Sequence, residues 1–189
     1  MKKFIDTDEQ IILIYGLASE KLKILQNEAE KKNFRIIEVS HEHTFCRVED
    51  LIFEDYSHCI VEDASPIDIE FLLFVNIIKD DLYGFIQILK DRGLYFPNKA
   101  ILTPTSKEWK LRRLLAENKE EHIVMTMFSN LRRAMRKANA IKEQNRHDDE
   151  LIEIMEDAKH YLNPREFDFD EMKYIHNRLA NKVNEIEGF

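Results

Sequence analysis

Imidazole and thiol side chains capable of metal binding or nucleophilic chemistry cluster in one segment of this sequence. His41, His43 and Cys46 follow a predicted strand, and their nitrogen and sulfur atoms are ligands that suit zinc. The spacing matches no established zinc signature, and His-x-His occurs often in loops without metal. A Cys46 nucleophile activated by His43 is the alternative, but the acidic neighbours disfavour a thiolate. We predict no metal, no cofactor and no catalytic residue, and we do not expect an enzyme.

Hydroxyl and ammonium groups form a second cluster, where a helix is predicted to begin. The dipole and free amides of a helix N-terminus favour an anion, and lysines in the first turn oppose that dipole unless an anion is bound. A capping box of Thr105 and Glu108 is the simpler alternative. No glycine-rich phosphate loop precedes the helix. The candidate anion-binding residues are Thr103, Thr105, Ser106, Lys107 and Lys110.

Charge is strongly segregated along the chain. Residues 107–142 hold ten basic and four acidic side chains, and the segments on both sides are acidic, so the net charge is -8. The basic face consists of Arg132, Arg133, Arg136, Lys137 and Lys142. We expect it to pair with the acidic segments, within the chain or across a dimer. Binding to nucleic acid is less expected, because those segments repel phosphates. A nucleic-acid-associated factor acting through this helix is the second alternative.

The first half of the sequence repeats itself, and the repeat predicts how these clusters are positioned. The run at 12–16 returns sixty positions later at 72–76, after which the register shifts by four, so that Ile37 corresponds to Ile101 and Phe45 to Trp109. Two β-α-β copies are predicted, at about residues 10–53 and 70–116, within a domain of residues 1–122. We expect an α+β fold, an α/β sandwich with a ferredoxin-like sheet, and an open parallel sheet is the second choice.

Hydrophobic periodicity predicts the individual elements. Strands are expected at 10–16, 34–39, 58–61, 70–75 and 99–102, and helices are expected from Ser19, over 48–52, at 80–91 and over 106–144, the last as one helix or two. Two amphipathic helices follow, at 151–162 and from about 170, so residues 123–189 form a helical extension. Their apolar stripes must be buried, and we name Trp109, Leu179 and Val183 as candidate interface residues.

One part of the chain resembles a small bacterial family known only as a domain of unknown function. The resemblance rests on Phe71-Leu72-Leu73-Phe74, Leu102-Thr103-Pro104-Thr105, Trp109, the Leu-x-x-Leu-Leu pattern from Leu111, and Glu120-Glu121-His122. It covers about residues 70–122. Ser106 stands where the family usually carries Asn. The resemblance implies a fold relationship and supplies no activity, substrate or catalytic residue.

Bulk composition is that of a folded protein, with 44% apolar residues, four glycines and four prolines. There is no signal-peptide core and no run of about 18 apolar residues, so we expect a cytoplasmic protein in which Cys46 and Cys59 are free thiols. We expect a non-enzymatic interaction or oligomerisation protein that binds a second copy of itself or a partner protein. A sensor that binds a small anion or metabolite at Thr103–Ser106 is the alternative. Neither a nucleic acid nor a membrane is expected as a partner.

Overall fold

The computed structural model of the chain describes residues 5, 7–144, 148–162 and 168–188. Its strands are β1 Ile11–Tyr15, β2 Arg35–Val39, β3 Phe71–Val75 and β4 Asn98–Ile101. Its α-helices are α1 Ser19–Glu30, α2 Val48–Ile52, α3 Lys79–Asp91, α4 Leu111–Glu143, α5 Asp149–His160 and α6 Phe169–Glu187, and short 3-10 helices lie at Glu42–Phe45 and Ser106–Glu108. The chain divides into two compact units, Met1–Glu120 and Glu121–Phe189. This division lies two residues before the predicted boundary.

The four strands form one mixed sheet in the order β2-β1-β3-β4. β1 and β2 are parallel, β3 and β4 are parallel, and the two central strands β1 and β3 are antiparallel. The α+β class is confirmed. The ferredoxin-like detail is not confirmed, because a split β-α-β sheet places a strand of one unit between the two strands of the other. Here each crossover helix returns the chain to the neighbouring position, and the antiparallel centre also differs from an open parallel sheet.

Helices cover both faces of this sheet, because successive side chains of a strand point to opposite sides. Ile12 and Ile14 belong to an apolar cluster with α1 and α3 on one face. Leu13 and Tyr15 belong to the other cluster, with α2 and the start of α4. All five residues of β1 and all five of β3 are therefore buried. This explains why both strands appear in the sequence as continuous apolar runs.

Both β-α-β units of the sheet have the same order of elements: strand, helix, strand, 3-10 helix, α-helix. Leu13 pairs with Leu73, its counterpart sixty positions later. Ile37 pairs with Leu13 and Ala100 pairs with Leu73, so Ala100 is the counterpart of Ile37. The predicted shift of four residues is therefore wrong by one, and Ile101 corresponds to Glu38. The repeat as such stays a prediction, which the shared order of elements supports.

The segment between α2 and β3 departs from two expectations. Residues 58–61 form no strand and lie in an irregular stretch. Cys59 of this stretch forms a disulfide with Cys46, and their Cα atoms are 4.6 Å apart. The prediction of free thiols is wrong, because it rested on cysteine number and compartment, which do not reveal that the irregular segment returns to the start of α2.

The second unit is built from the later part of α4 with α5 and α6. Its buried residues recur at helical spacing on all three helices, including Leu131, Met135, Ile154, Ala158, Met172, Leu179 and Val183. Asp148 and Asp168 cap α5 and α6 by accepting hydrogen bonds from backbone amides three residues later. Among the described residues, no helix is both long and apolar enough to cross a membrane.

Candidate interaction surface

The predicted anion-binding turn is closed by its own hydroxyl groups. Thr103 Oγ1 donates to Ser106 Oγ at 2.9 Å, and the two backbone amides donate across to the same hydroxyls, each at 3.0 Å. Thr105 makes no side-chain cap bond, and residues 106–108 form a 3-10 helix. The predicted capping box is wrong for this reason, and α4 begins at Leu111 rather than at the turn.

The two lysines beside this turn face carboxylates of the same unit. Lys107 Nζ lies 3.6 Å from Glu49 Oε2, and Lys110 Nζ lies 2.6 Å from Glu62 Oε1. The Lys110 hydrogen bond lowers the pKa of Glu62. Anion binding at the turn stays a prediction, but the hydroxyl and ammonium groups on which it rests already have partners within the chain.

Trp109 lies where the two β-α-β units meet. Val48 N donates to Trp109 O and Leu111 N donates to Cys46 O, both at 2.9 Å. The half-buried indole packs against the core, and the Arg113 guanidinium carbon lies 3.9 Å from a ring centroid of Trp109. Contacts within the first unit thus cover part of the Trp109 side chain. Its role in an interface stays a prediction.

The suggested metal ligands are directed to other partners. His41 Nε2 lies 2.8 Å from Ala64 O, and the His43 ring stacks on Tyr56 with centroids 4.3 Å apart. The sulfur of Cys46 belongs to the disulfide. Over residues 5, 7–144, 148–162 and 168–188, no group of three His, Cys, Asp or Glu side chains is placed to hold a metal ion.

The basic face of α4 has partners within the second unit. Lys137 Nζ lies 3.3 Å from Glu187 Oε2 of α6, which is a pair of the expected kind. Arg132 donates to the Leu162 carbonyl at 3.4 Å and Arg133 to the Asn130 side chain at 3.2 Å. Arg136 and Lys142 are exposed.

Leu179 and Val183, the candidate interface residues of the last helix, lie inside the second unit. Their exposed fractions are 0% and 1%, and both belong to its apolar core. The stripe that suggested a surface for self-association is therefore covered by packing within the unit.

Sequence reasoning missed an apolar groove of about 530 Å³ between α3 and the edge strand β4. The groove is lined by Phe74, Ile77, Lys79, Leu82, Tyr83, Ile86, Lys99, Ala100 and Ile101. Ile101 is 54% exposed and Tyr83 is 59% exposed. Ile101 appears in the sequence as an ordinary core residue of a strand. Its exposure follows from the position of β4 at the edge of the sheet, which only the strand order reveals.

Backbone groups at this edge also face outward. Leu102 N donates to Phe74 O of β3 at 2.9 Å, continuing the parallel ladder. Amides of successive residues in a strand point to alternate sides, so those of Lys99 and Ile101 face away from β3. Asn118 Nδ2 donates to the outward Lys99 carbonyl at 3.5 Å, which is long for a hydrogen bond.

Lys99 places a positive charge at one end of this apolar groove. Its Nζ donates to the Phe96 carbonyl at 3.0 Å, and the side chain is half-buried. Burial, followed by the like charge of Lys90, lowers the pKa of Lys99. Lys79 stands at the other end, where its Nζ lies 5.6 Å from the centroid of the Tyr83 ring.

Comparison with known families gives one match. A family model described as a domain of unknown function, DUF3783, matches residues 70–125. This match agrees with the resemblance in the sequence, and it spans β3, α3, β4 and the first part of α4, so it includes the whole groove. Searches of curated proteins and of solved structures gave no match.

Proposed function

We propose that this chain is a non-enzymatic interaction protein whose first unit binds an extended segment of a partner protein along β4. The observation that carries this proposal is the coincidence of an open strand edge with an apolar groove of about 530 Å³ beside it. An exposed edge strand is a template on which another chain adds a strand. The exposed Ile101 lies at this edge, at the end of β4.

The backbone and the groove would contribute different parts of the recognition. The outward amides of Lys99 and Ile101 are donors that a neighbouring strand can satisfy in register. Alternate side chains of an added strand point to the same face, so every second side chain would enter the groove between β4 and α3. Main-chain bonds of this kind supply affinity, and the groove supplies preference for apolar side chains.

A partner segment fits this edge better than a second copy of the chain does. A second β4 strand, Asn98–Ile101, offers no carboxylate to Lys99 in any register, and the register that pairs Lys99 with Lys99 sets like charges opposite one another. Like charges that face each other across paired strands are destabilising. The small-anion hypothesis has less support, because Thr103 and Ser106 bond to each other and Lys107 and Lys110 face carboxylates.

Selection from a random peptide library on the immobilised full chain tests the proposal. We expect selected peptides to slow hydrogen exchange at the amides of Lys99 and Ile101, because strand addition places a hydrogen bond on each. Ile101→Glu should weaken their binding at least about tenfold, equivalent to about 1.4 kcal/mol. The matched control is Glu38→Lys on β2, at the position that corresponds to Ile101, and it should leave binding unchanged.

Two results would contradict the proposal. Selected peptides that leave both amides unprotected would place binding elsewhere. A wild-type dimer by light scattering, with both amides protected before any peptide is added, would assign the edge to a second copy of the chain.

A further inference from the structure

We infer that the segment bound along β4 carries an acidic side chain opposite Lys99 and an apolar side chain two positions away, opposite Ile101. This inference rests on the proposed function and specifies the chemistry of the partner. Lys99 is thereby the specificity-determining residue of the groove, and Ile101 marks its apolar position.

The strand register places these two side chains together. Lys99 pairs with Leu72 and Ile101 with Phe74, and Leu72 and Phe74 belong to the cluster that contacts α3. Lys99 and Ile101 therefore share the groove face of β4, two residues apart. A residue directly opposite on a paired strand has its Cβ about 4.5 to 5.5 Å away on the same face. The partner pattern is therefore acidic-x-apolar in one strand direction and apolar-x-acidic in the other.

The charges around the groove are complementary to an acid. Its lining includes Lys79 and Lys99 and no carboxylate. Among the described residues, no carboxylate forms an ion pair with Lys99, whose Nζ has a backbone carbonyl as partner. A half-buried ammonium group without a counter-charge gains more from an arriving carboxylate than a fully exposed one does, because water screens it less.

The lysines and the aspartates of α3 lie on different faces of that helix. Lys79, Tyr83, Ile86 and Lys90 recur at intervals of three and four residues, so they lie on one face of the helix. Lys79, Tyr83 and Ile86 line the groove, and Ile86 and Lys90 line a small adjoining cavity. Asp80 and Asp91 lie on another face, where Gln87 Nε2 donates to Asp91. None of the three acidic residues of α3, Asp80, Asp81 and Asp91, lines the groove, whereas Lys79 does and remains to attract a negative segment.

A charge-exchange experiment tests the inference on the full chain. Three versions of one groove-binding peptide are compared, with Glu, Gln or Lys at the position that faces Lys99. Wild type should bind the Glu peptide at least about tenfold tighter than the Lys peptide, and Lys99→Glu should reverse that order. Lys99→Arg should keep the preference for Glu. Lys23→Glu is the matched control on α1, with the same charge change away from the groove, and it should retain the wild-type order.

The outcomes separate this inference from the function on which it depends. Peptides that protect the amides of Lys99 and Ile101 but bind equally well with Glu, Gln or Lys would overturn the acidic preference and leave strand binding intact. Absence of any peptide that protects those amides would overturn both. Salt provides a second readout: added salt should weaken binding of the Glu peptide to wild type more than to Lys99→Gln. Equal salt dependence in the two proteins would also contradict the pairing with Lys99.

Discussion

The two edges of the sheet occupy equivalent positions in the two β-α-β units, yet they present different surfaces. At β2, Arg35 forms ion pairs with Glu9 at 2.7 Å and with Glu54 at 2.5 Å. Glu38 is exposed on that strand, where β4 carries Ile101. Charged side chains on an edge strand discourage pairing with other chains. The β2 edge therefore carries the ion-paired Arg35 and the exposed Glu38, whereas the β4 edge carries one charged side chain, Lys99, and the exposed apolar Ile101.

The helices beside the two edges differ in the same way. Sixty positions before Tyr83 and Ile86 of the groove, α1 carries Lys23 and Gln26, both exposed. The same arrangement of strands and helices thus supports a polar surface in one unit and an apolar groove in the other. A few exposed side chains, rather than the backbone, determine which edge is suited to binding.

The largest expected effect comes from removing the buried anchor of either crossover helix. Leu25 of α1 and Phe85 of α3 are counterparts, and both are 0% exposed. Leu25→Ala should lower the free energy of unfolding by about 2 to 5 kcal/mol and Phe85→Ala by about 3 to 5 kcal/mol, because each leaves a cavity. Urea unfolding followed by the fluorescence of Trp109 measures this, since this single tryptophan lies in the first unit. A small loss at only one site would show that the two helices are not anchored alike.

An exchange of edge residues should have the next largest effect. Glu38→Ile gives β2 the apolar residue of β4. We expect self-association to rise, because the Glu38 carboxylate that discourages pairing at this edge is lost. Light scattering at increasing protein concentration measures the change in apparent mass. Glu38→Gln, which removes charge without adding apolar surface, should stay close to wild type. A monomeric Glu38→Ile protein would show that the ion pairs of Arg35 alone protect this edge.

Removal of those ion pairs should have a smaller effect. Arg35 is about one-third exposed, and exposed ion pairs contribute only about 0 to 1 kcal/mol each. Arg35→Ala should therefore lower the free energy of unfolding by about 1 kcal/mol or less, as measured by urea unfolding at low and high salt. A loss well above that range would indicate that Arg35 stabilises β2 through packing of its aliphatic stem as well as through charge.

The smallest expected effect is a pH dependence of stability at the contact between α1 and the end of α3. Glu28 Oε1 lies 2.8 Å from Lys31 Nζ and 3.1 Å from Arg92 Nε, which follows α3. The Lys31 hydrogen bond, with a contribution from Arg92, lowers the pKa of Glu28 below its usual value of 4.5. The contribution of Glu28 to stability is therefore present above 4.5 and is lost as the pH falls through the lower folded value.

Glu28→Gln tests that dependence. Wild type should be more stable than this variant at neutral pH, and the difference should shrink as the pH is lowered below 4.5. Unfolding curves of both proteins across this range measure it. A difference that stays constant with pH would assign the effect of Glu28 to packing rather than to its charge.

Local patterns in the sequence were sufficient to predict most elements but not their arrangement. The four strands of the sheet were predicted to within two residues at each end, because apolar runs buried on both faces are distinctive. The start of α4 was predicted wrongly, because Thr105 and Glu108 have capping-box spacing while Thr103 and Ser106 close the turn. The β4 groove could not be predicted, since it depends on strand order, and the crossovers that set that order are long-range.

The antiparallel pairing of β1 with β3 imposes a delay during synthesis. Leu13 cannot meet Leu73 until sixty more residues have been made, which takes about 3 to 12 s at about 5 to 20 residues per second. Until β3 has been made, the edge of the all-apolar β1 that will face it has no strand partner. β2, which carries Arg35 and Glu38, can pair with the outer edge of β1 before β3 is made. The inner edge is therefore the surface that a ribosome-associated chaperone would need to shield.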